Sequence, residues 1–138
     1  MKIFRCSQIK DIDEFTVRHE PVSSIDLMER ASGALYKWIN SRFSRSNKFV
    51  LFVGPGNNGG DGLVLARMLA ENRYSVKAFF VKFTEKTSGE WEVNKHRLKK
   101  ESQVGLNIIE NIDDFPVISS AEIIIDAIFG FSFKSPVR

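Results

Sequence analysis

A single cysteine, Cys6, excludes an internal disulfide, and with only His19 and His96 beside it the 138-residue chain offers no zinc-type cluster of sulfur and imidazole ligands. One free thiol fits a reducing compartment. No run approaches the roughly 18 consecutive apolar residues of a membrane-spanning helix, and Met1-Lys2-Ile3-Phe4-Arg5 has no apolar core of a signal peptide. The expectation is a soluble cytoplasmic protein with no membrane partner. A strong charge of one sign is missing too: the net charge is +3, with Lys and Arg mixed among Asp and Glu rather than gathered with aromatics. That argues against nucleic acid as a partner. What the chain does have is apolar material, 43% of its residues including 12 phenylalanines, enough for one domain with a substantial core.

The most informative segment is Gly54-Pro55-Gly56-Asn57-Asn58-Gly59-Gly60-Asp61-Gly62, which holds five of the nine glycines. It follows Phe49-Val50-Leu51-Phe52-Val53, a continuous apolar run suited to a strand buried on both faces of a parallel sheet. Leu63, Ala66, Leu69 and Ala70 then recur at helical spacing, predicting a helix over about 61–72. Glycines at such a strand-to-helix turn allow positive φ and close approach of a ligand, while the first helical N–H groups attract anions. Asn57 and Asn58 tolerate left-handed backbone and carry amide oxygens and N–H groups for a cation or ligand. For Asp61, capping the helix and touching a ligand are equally open.

Gly54-x-Gly56-x-x-Gly59 satisfies the dinucleotide fingerprint, yet the ribose-binding acid is missing. The next apolar run, Ser75 to Val81, is followed by Lys82, and Glu85 comes about four residues late for that role. An ordinary NAD dehydrogenase is therefore disfavoured. A phosphate-binding P-loop is excluded as well, because Gly60 and Asp61 stand where it needs Lys and Ser or Thr.

Two helices are expected before the first strand. One starts at a capping Ser7 with Ile9, Ile12 and Phe15 as its stripe and is interrupted at Glu20-Pro21-Val22; the other starts at Ser23 or Ser24 with Ile25, Met28, Ala31, Leu35, Trp38 and Ile39 as its stripe. After the strand at 76–81, Ser88 to Glu101 reads as a solvated helix whose basic group His96-Arg97-Lys99-Lys100 is an exposed face. Short strands follow near 106–109 and 122–125, with a polar helix or turn over 113–120 between them.

The last strand runs into Asp126-Ala127-Ile128-Phe129-Gly130, a carboxylate at a strand end followed by a glycine-containing loop. In open α/β sheets, ligands sit beyond the C-terminal strand ends where strand order reverses. If the strands before Gly54 and Asp126 are neighbours, the Asn57-Asn58 loop and Asp126 meet at one crevice. Lys134 reads equally as a phosphate partner or a solvated lysine, and core packing is the simpler role for Phe129, Phe131 and Phe133.

Three blocks, Ile25-Asp26-Leu27-Met28-Glu29-Arg30-Ala31-Ser32-Gly33, Gly54 to Gly62 and Asp126-Ala127-Ile128-Phe129-Gly130, resemble the YjeF N-terminal domain family, whose enzymatic members are NAD(P)H-hydrate epimerases. Ser32 departs slightly from the Ala common at that place. The resemblance implies an α/β, three-layer Rossmann-like fold with a mainly parallel sheet preceded by two N-terminal helices. It implies an isomerase of metabolite repair, interconverting the R and S forms of hydrated NADH and NADPH (NADHX and NADPHX). It further implies that Asn57, Asn58, Gly59, Gly60 and Asp61, with Gly130, Phe131, Ser132, Phe133, Lys134, Ser135 and Pro136, contact the hydrated cofactor, and that Asn58 and Asp126 help coordinate a potassium ion. A homodimer and a fused or separate NAD(P)HX dehydratase are implied partners. Family domains run well past Arg138, so residues 1–138 are expected to be one YjeF N-terminal-type domain, incomplete at its C-terminal side. The proton-shuttling catalytic residue is not identified by the sequence. The rival readings are a non-catalytic binding or dimerisation module of the same fold and a nucleotide-binding regulator.

Overall fold

The computed structural model describes residues 3–19 and 23–130. Helix α1 spans Cys6–His19 and α2 spans Ser24–Arg42. Strand β1 (Lys48–Val53), helix α3 (Asn57–Glu71), strand β2 (Ser75–Val81), helix α4 (Gly89–Glu101), strand β3 (Leu106–Ile109) and strand β4 (Glu122–Ala127) follow, with a 3-10 turn at Ile112–Asp114 before β4. The expected break at Glu20-Pro21-Val22 lies outside the described residues.

The four strands form one wholly parallel sheet in the order β3-β2-β1-β4. Of its two interior strands, β1 is buried from Phe49 to Val53, as a run apolar on both faces requires. Phe49, Leu51 and Val53 enter the larger core with Leu63, Leu65 and Leu69 of α3, Trp91 and Leu98 of α4, and Ile39 of α2. On the opposite face Val50 and Phe52 pack with Phe79 and Ile109 beneath Ile118, and Phe52 lies 5.9 Å from the Phe115 ring. The outer layer on that side is the β3–β4 connection, a 3-10 turn and extended chain in place of the polar helix allowed over 113–120. Asp114 holds this turn by accepting from the N–H groups of Glu110 and Asn111 at 2.9 and 2.8 Å.

Local chemistry explains two helix starts. Ser23 caps α2, its Oγ accepting from the Asp26 N–H at 3.1 Å, and Ser88 caps α4 through the Trp91 N–H at 3.1 Å. Ser7 is not a cap. It sits inside the first turn of α1, where the Gln8 side chain accepts the Arg5 N–H at 2.9 Å instead. The buried line of α2 is Met28, Ser32 and Ile39, whereas Ala31, Leu35 and Trp38 of the expected stripe are exposed. Ser32 marks this face: α2 lies close on α3 where the Ser32 hydroxyl reaches the Asp61 carbonyl at 3.2 Å.

Charge finishes the helix layer. Arg67 of α3, with a side chain only 10% exposed, pairs with Glu29 of α2, Glu71 of its own helix and Glu101 of α4. Arg97 joins Glu29 at 3.2 Å, so it is half-buried in this network while His96, Lys99 and Lys100 form the exposed face expected for all four.

Candidate active site

Strands β1 and β4 are direct neighbours, with Phe52 opposite Asp126 and Val53 opposite Ala127. The chain leaves β1 toward β2 on one side and returns to β4 on the other, so strand order reverses between β1 and β4. This is the topological crevice in which open α/β sheets bind ligands, and the expected adjacency of the two loops is present.

Backbone pairing continues past the strands, the Gly54 N–H donating to the Ala127 carbonyl at 3.0 Å. The Gly54 carbonyl accepts the buried Trp91 indole N–H at 2.8 Å, and the Ser88 N–H donates to the Pro55 carbonyl at 3.1 Å. Both bonds tie the β1 loop to α4.

The glycines serve packing rather than left-handed turns. No described glycine has positive φ, and the one described non-glycine residue that does is Arg73, at 66°. A Cβ on Gly59 would strike the Gly54 carbonyl, and one on Gly54 would strike the Ile128 carbonyl. On Gly62 it would come within 2.7 Å of Val53 and 2.8 Å of Ala127. These residues let α3 start directly against the β1 and β4 loops.

Helix α3 accordingly begins at Asn57, four residues before the predicted start, with Gly56 as its N-cap and no side chain capping it. The N–H groups of the first turn remain directed outward, the arrangement that receives an anionic group. Asn58 is fastened across the crevice, its amide Nδ2 donating to the Phe129 carbonyl at 2.9 Å, and Gly130 lies against it, with room for a Cβ only 3.1 Å from the Asn58 Cβ. Asp126 uses Oδ1 to accept the Ile128 N–H at 2.9 Å, and the residue is solvent-exposed. Asn58 Oδ1 and Asp126 Oδ2 remain as oxygens with lone pairs to offer.

Asp61 is not the cap, since it is the fifth residue of α3. It lies three residues from Asn58, on the same side of the helix. Burial, with a smaller contribution from the nearby Asp13 of α1, raises its carboxyl from the ordinary 3.8 to about 6. The sequence carried no sign of Asp13 in this role.

The structure brings Asn57, Asn58 and Gly59 at the start of α3 together with Asp126 and Gly130 at one strand-end crevice, whereas Gly60 packs toward Met28 and Trp91 and Asp61 lies near Asp13 of α1. Phe131, Ser132, Phe133, Lys134, Ser135 and Pro136 lie outside the described residues. Phe129, assigned to the core by the simpler reading, is 52% exposed. It meets Phe83, a residue that sequence reasoning passed over although an aromatic just beyond a strand's C-terminal end is a recognisable signal. Among the described residues no group of three or more His, Cys, Asp or Glu side chains is placed to hold a metal ion, and no helix is long and apolar enough to cross a membrane.

Residues 24–138 match the family described as YjeF-related protein N-terminus. An NAD(P)H-hydrate epimerase of Anopheles darlingi is 35% identical over 140 residues, covering 100% of this chain and 59% of that protein. One from Limosilactobacillus fermentum is 34% identical, covering 96% of this chain and 61% of that protein. A bifunctional NAD(P)H-hydrate repair enzyme of Dictyoglomus turgidum is 31% identical over 99% of this chain and 26% of its own length. The crystal structure of yeast ynu0 superposes with a TM-score of 0.83 at 28% identity, covering 100% of this chain and 60% of that one. The chain thus spans about 60% of the length of the single-function relatives.

Proposed function

The chain belongs to the YjeF-related protein N-terminus family, and we propose that it carries the dinucleotide site of an NAD(P)H-hydrate epimerase, interconverting the R and S forms of hydrated NADH and NADPH. The observation that carries this reading is the bond from Asn58 to the Phe129 carbonyl, which joins the start of α3 to the loop after Asp126 at the strand-order reversal. All described strands share one sheet, which supports treating residues 1–138 as one domain of this family.

Within this reading each feature has a task. The uncapped start of α3 receives the pyrophosphate, with Asn57, Asn58 and Gly59 supplying backbone N–H groups, while the Gly60 N–H is taken by the Gly56 carbonyl at 3.0 Å. Gly130 keeps the facing loop close to Asn58, and a contact with the dinucleotide is the role proposed for Phe131, Ser132, Phe133, Lys134, Ser135 and Pro136. Asn58 Oδ1 and Asp126 Oδ2 are hard, neutral-plus-anionic donors suited to an alkali cation, and these two residues would hold a potassium ion that places positive charge beside the dinucleotide. Backbone carbonyls or water complete so small a donor set.

Inversion at C6 of the hydrated ring passes through loss and readdition of hydroxide or through ring opening, and both routes move a proton. Asp61, with its carboxyl raised to about 6, is able to hold or release one near neutral pH. The Dictyoglomus relative is named a bifunctional repair enzyme, and an S-specific dehydratase, fused or separate, is the partner that would draw the epimerised product forward.

Turnover tests the proposal. Pure R hydrate mixed with an S-specific dehydratase is consumed completely once the full-length protein is added. Binding of the hydrate with no consumption of the R form would replace the epimerase by a non-catalytic nucleotide-binding module.

A further inference from the structure

Two phenylalanines stand at the rim of the crevice on strands that flank β1. Phe83 lies two residues beyond the end of β2, and Phe129 two residues beyond the end of β4. Because β2 and β4 pair with β1 on opposite sides, the rings meet across the place where β1 runs into Gly54-Pro55-Gly56. Their centroids are 5.2 Å apart with the planes tilted by 34°. Phe83 is 56% exposed and Phe129 52% exposed, so folding buries only part of either ring.

Both rings stand on anchored backbone. The Phe129 carbonyl accepts the Asn58 amide at 2.9 Å. Beside Phe83, the Lys82 N–H donates to the Ile109 carbonyl at 2.9 Å, and the Ser88 N–H closes the same loop onto the Pro55 carbonyl at 3.1 Å. Two fixed, half-exposed aromatic rings beside a helix N-terminus match a ligand with a planar ring attached to a phosphate.

A hydrated nicotinamide dinucleotide has two rings of unequal stacking power. The hydrated nicotinamide carries tetrahedral carbons at C5 and C6 and is puckered. Adenine is planar and aromatic over its whole area. The geometry points to the Phe83–Phe129 pair as the adenine-stacking subsite, gripping the substrate by the ring that does not react. This rests on the dinucleotide reading of the crevice and extends it to a specificity element: the pair anchors the unreactive end, so its contribution falls on substrate affinity rather than on the chemical step.

The test compares two substrates on the full-length protein: NADH hydrate, which has the adenine, and the hydrate of reduced nicotinamide mononucleotide, which lacks it. Phe83→Ala and Phe83→Leu are expected to raise KM for NADH hydrate about tenfold, the loss of roughly one stacked base, with kcat held. KM for the mononucleotide hydrate should change less than twofold. Phe83→Leu keeps apolar volume without the π-face, and Phe83→Tyr, which restores the π-face, should recover wild-type KM. Titration with ADP-ribose, adenine and pyrophosphate without the nicotinamide ring, should show the same tenfold weakening in Phe83→Ala by calorimetry.

Equal changes for both substrates, or unchanged ADP-ribose affinity, would overturn the adenine subsite while leaving the epimerase reading intact. Failure of the wild-type protein to bind or turn over either hydrate would instead remove the dinucleotide reading, and the subsite with it.

Discussion

Replacing Asp61 with asparagine removes a charge that the folded protein holds at a cost. Burial, and secondarily Asp13, lift this carboxyl from 3.8 to about 6, and among the described residues no hydrogen bond reaches its side-chain oxygens. A displacement of that size corresponds to about 3 kcal/mol of ionisation penalty at 1.36 kcal/mol per pKa unit. The side chain retains some solvent contact, so about 1–2 kcal/mol is the expected share. The sign follows from proton binding: between pH 4 and 6 the folded state holds more protons than the unfolded one, so the native protein loses stability as pH rises through that window. Below about pH 4 both states are protonated and the penalty vanishes. Urea unfolding in potassium-free buffer should show Asp61→Asn more stable than the wild type by about 1–2 kcal/mol at pH 8. The two should converge near pH 4. A difference that does not vary with pH, or an asparagine variant less stable at pH 8, would refute the reasoning. A destabilising carboxylate kept one helical turn from Asn58 is what the proposed function expects of a group retained for proton transfer rather than for folding.

Two further variants probe the scaffold under the site. Trp91→Phe leaves the buried Gly54 carbonyl without its indole partner and should lower unfolding free energy by about 1–3 kcal/mol in urea titrations; no measurable loss would mean that water replaces the indole. Gly59→Ala drives a methyl onto the Gly54 carbonyl, whereas Gly56→Ala meets nothing within 4 Å. The first should therefore cost at least about 2 kcal/mol and the second only the capping loss of about 0.5–1 kcal/mol, and equal stabilities would discard the close-packing account of the loop.

The sheet was legible because its strands are apolar runs with plain boundaries. Phe49 to Val53 reads as doubly buried and is, and Leu106 to Ile109 is found at the predicted residues. Helix α4, read over Ser88 to Glu101, spans Gly89–Glu101 with Ser88 as its cap. The start of α3 was not legible, because Asn57-Asn58-Gly59-Gly60 are poor helix formers by propensity. They are helical because the β4 loop, Trp91 and Met28 pack against them, contacts invisible in a linear chain. The same blindness turned the glycines into left-handed turn residues, when collision with Gly54, Val53 and Ala127 explains them. For α2, the apolar stripe was misread because the face on α3 runs through Met28, Ser32 and Ile39, the Ser32 hydroxyl reaching the Asp61 carbonyl, and this leaves Leu35 and Trp38 exposed. At the site, Asn58 and Asp126 were nameable from spacing and resemblance; Phe83 carried a readable signal just past a strand end, whereas Asp13 emerges only when the chain is folded.

Thermal stabilisation of the full-length protein by NADPH hydrate, measured with and without potassium in the wild type and in Asp126→Ala, tests most directly whether the paired strand ends form the substrate site. The account predicts potassium-dependent stabilisation by the hydrate but not by intact NADPH in the wild type, and its disappearance in Asp126→Ala with the melting of the ligand-free protein little changed. Full stabilisation persisting in Asp126→Ala, or none in the wild type, would contradict it.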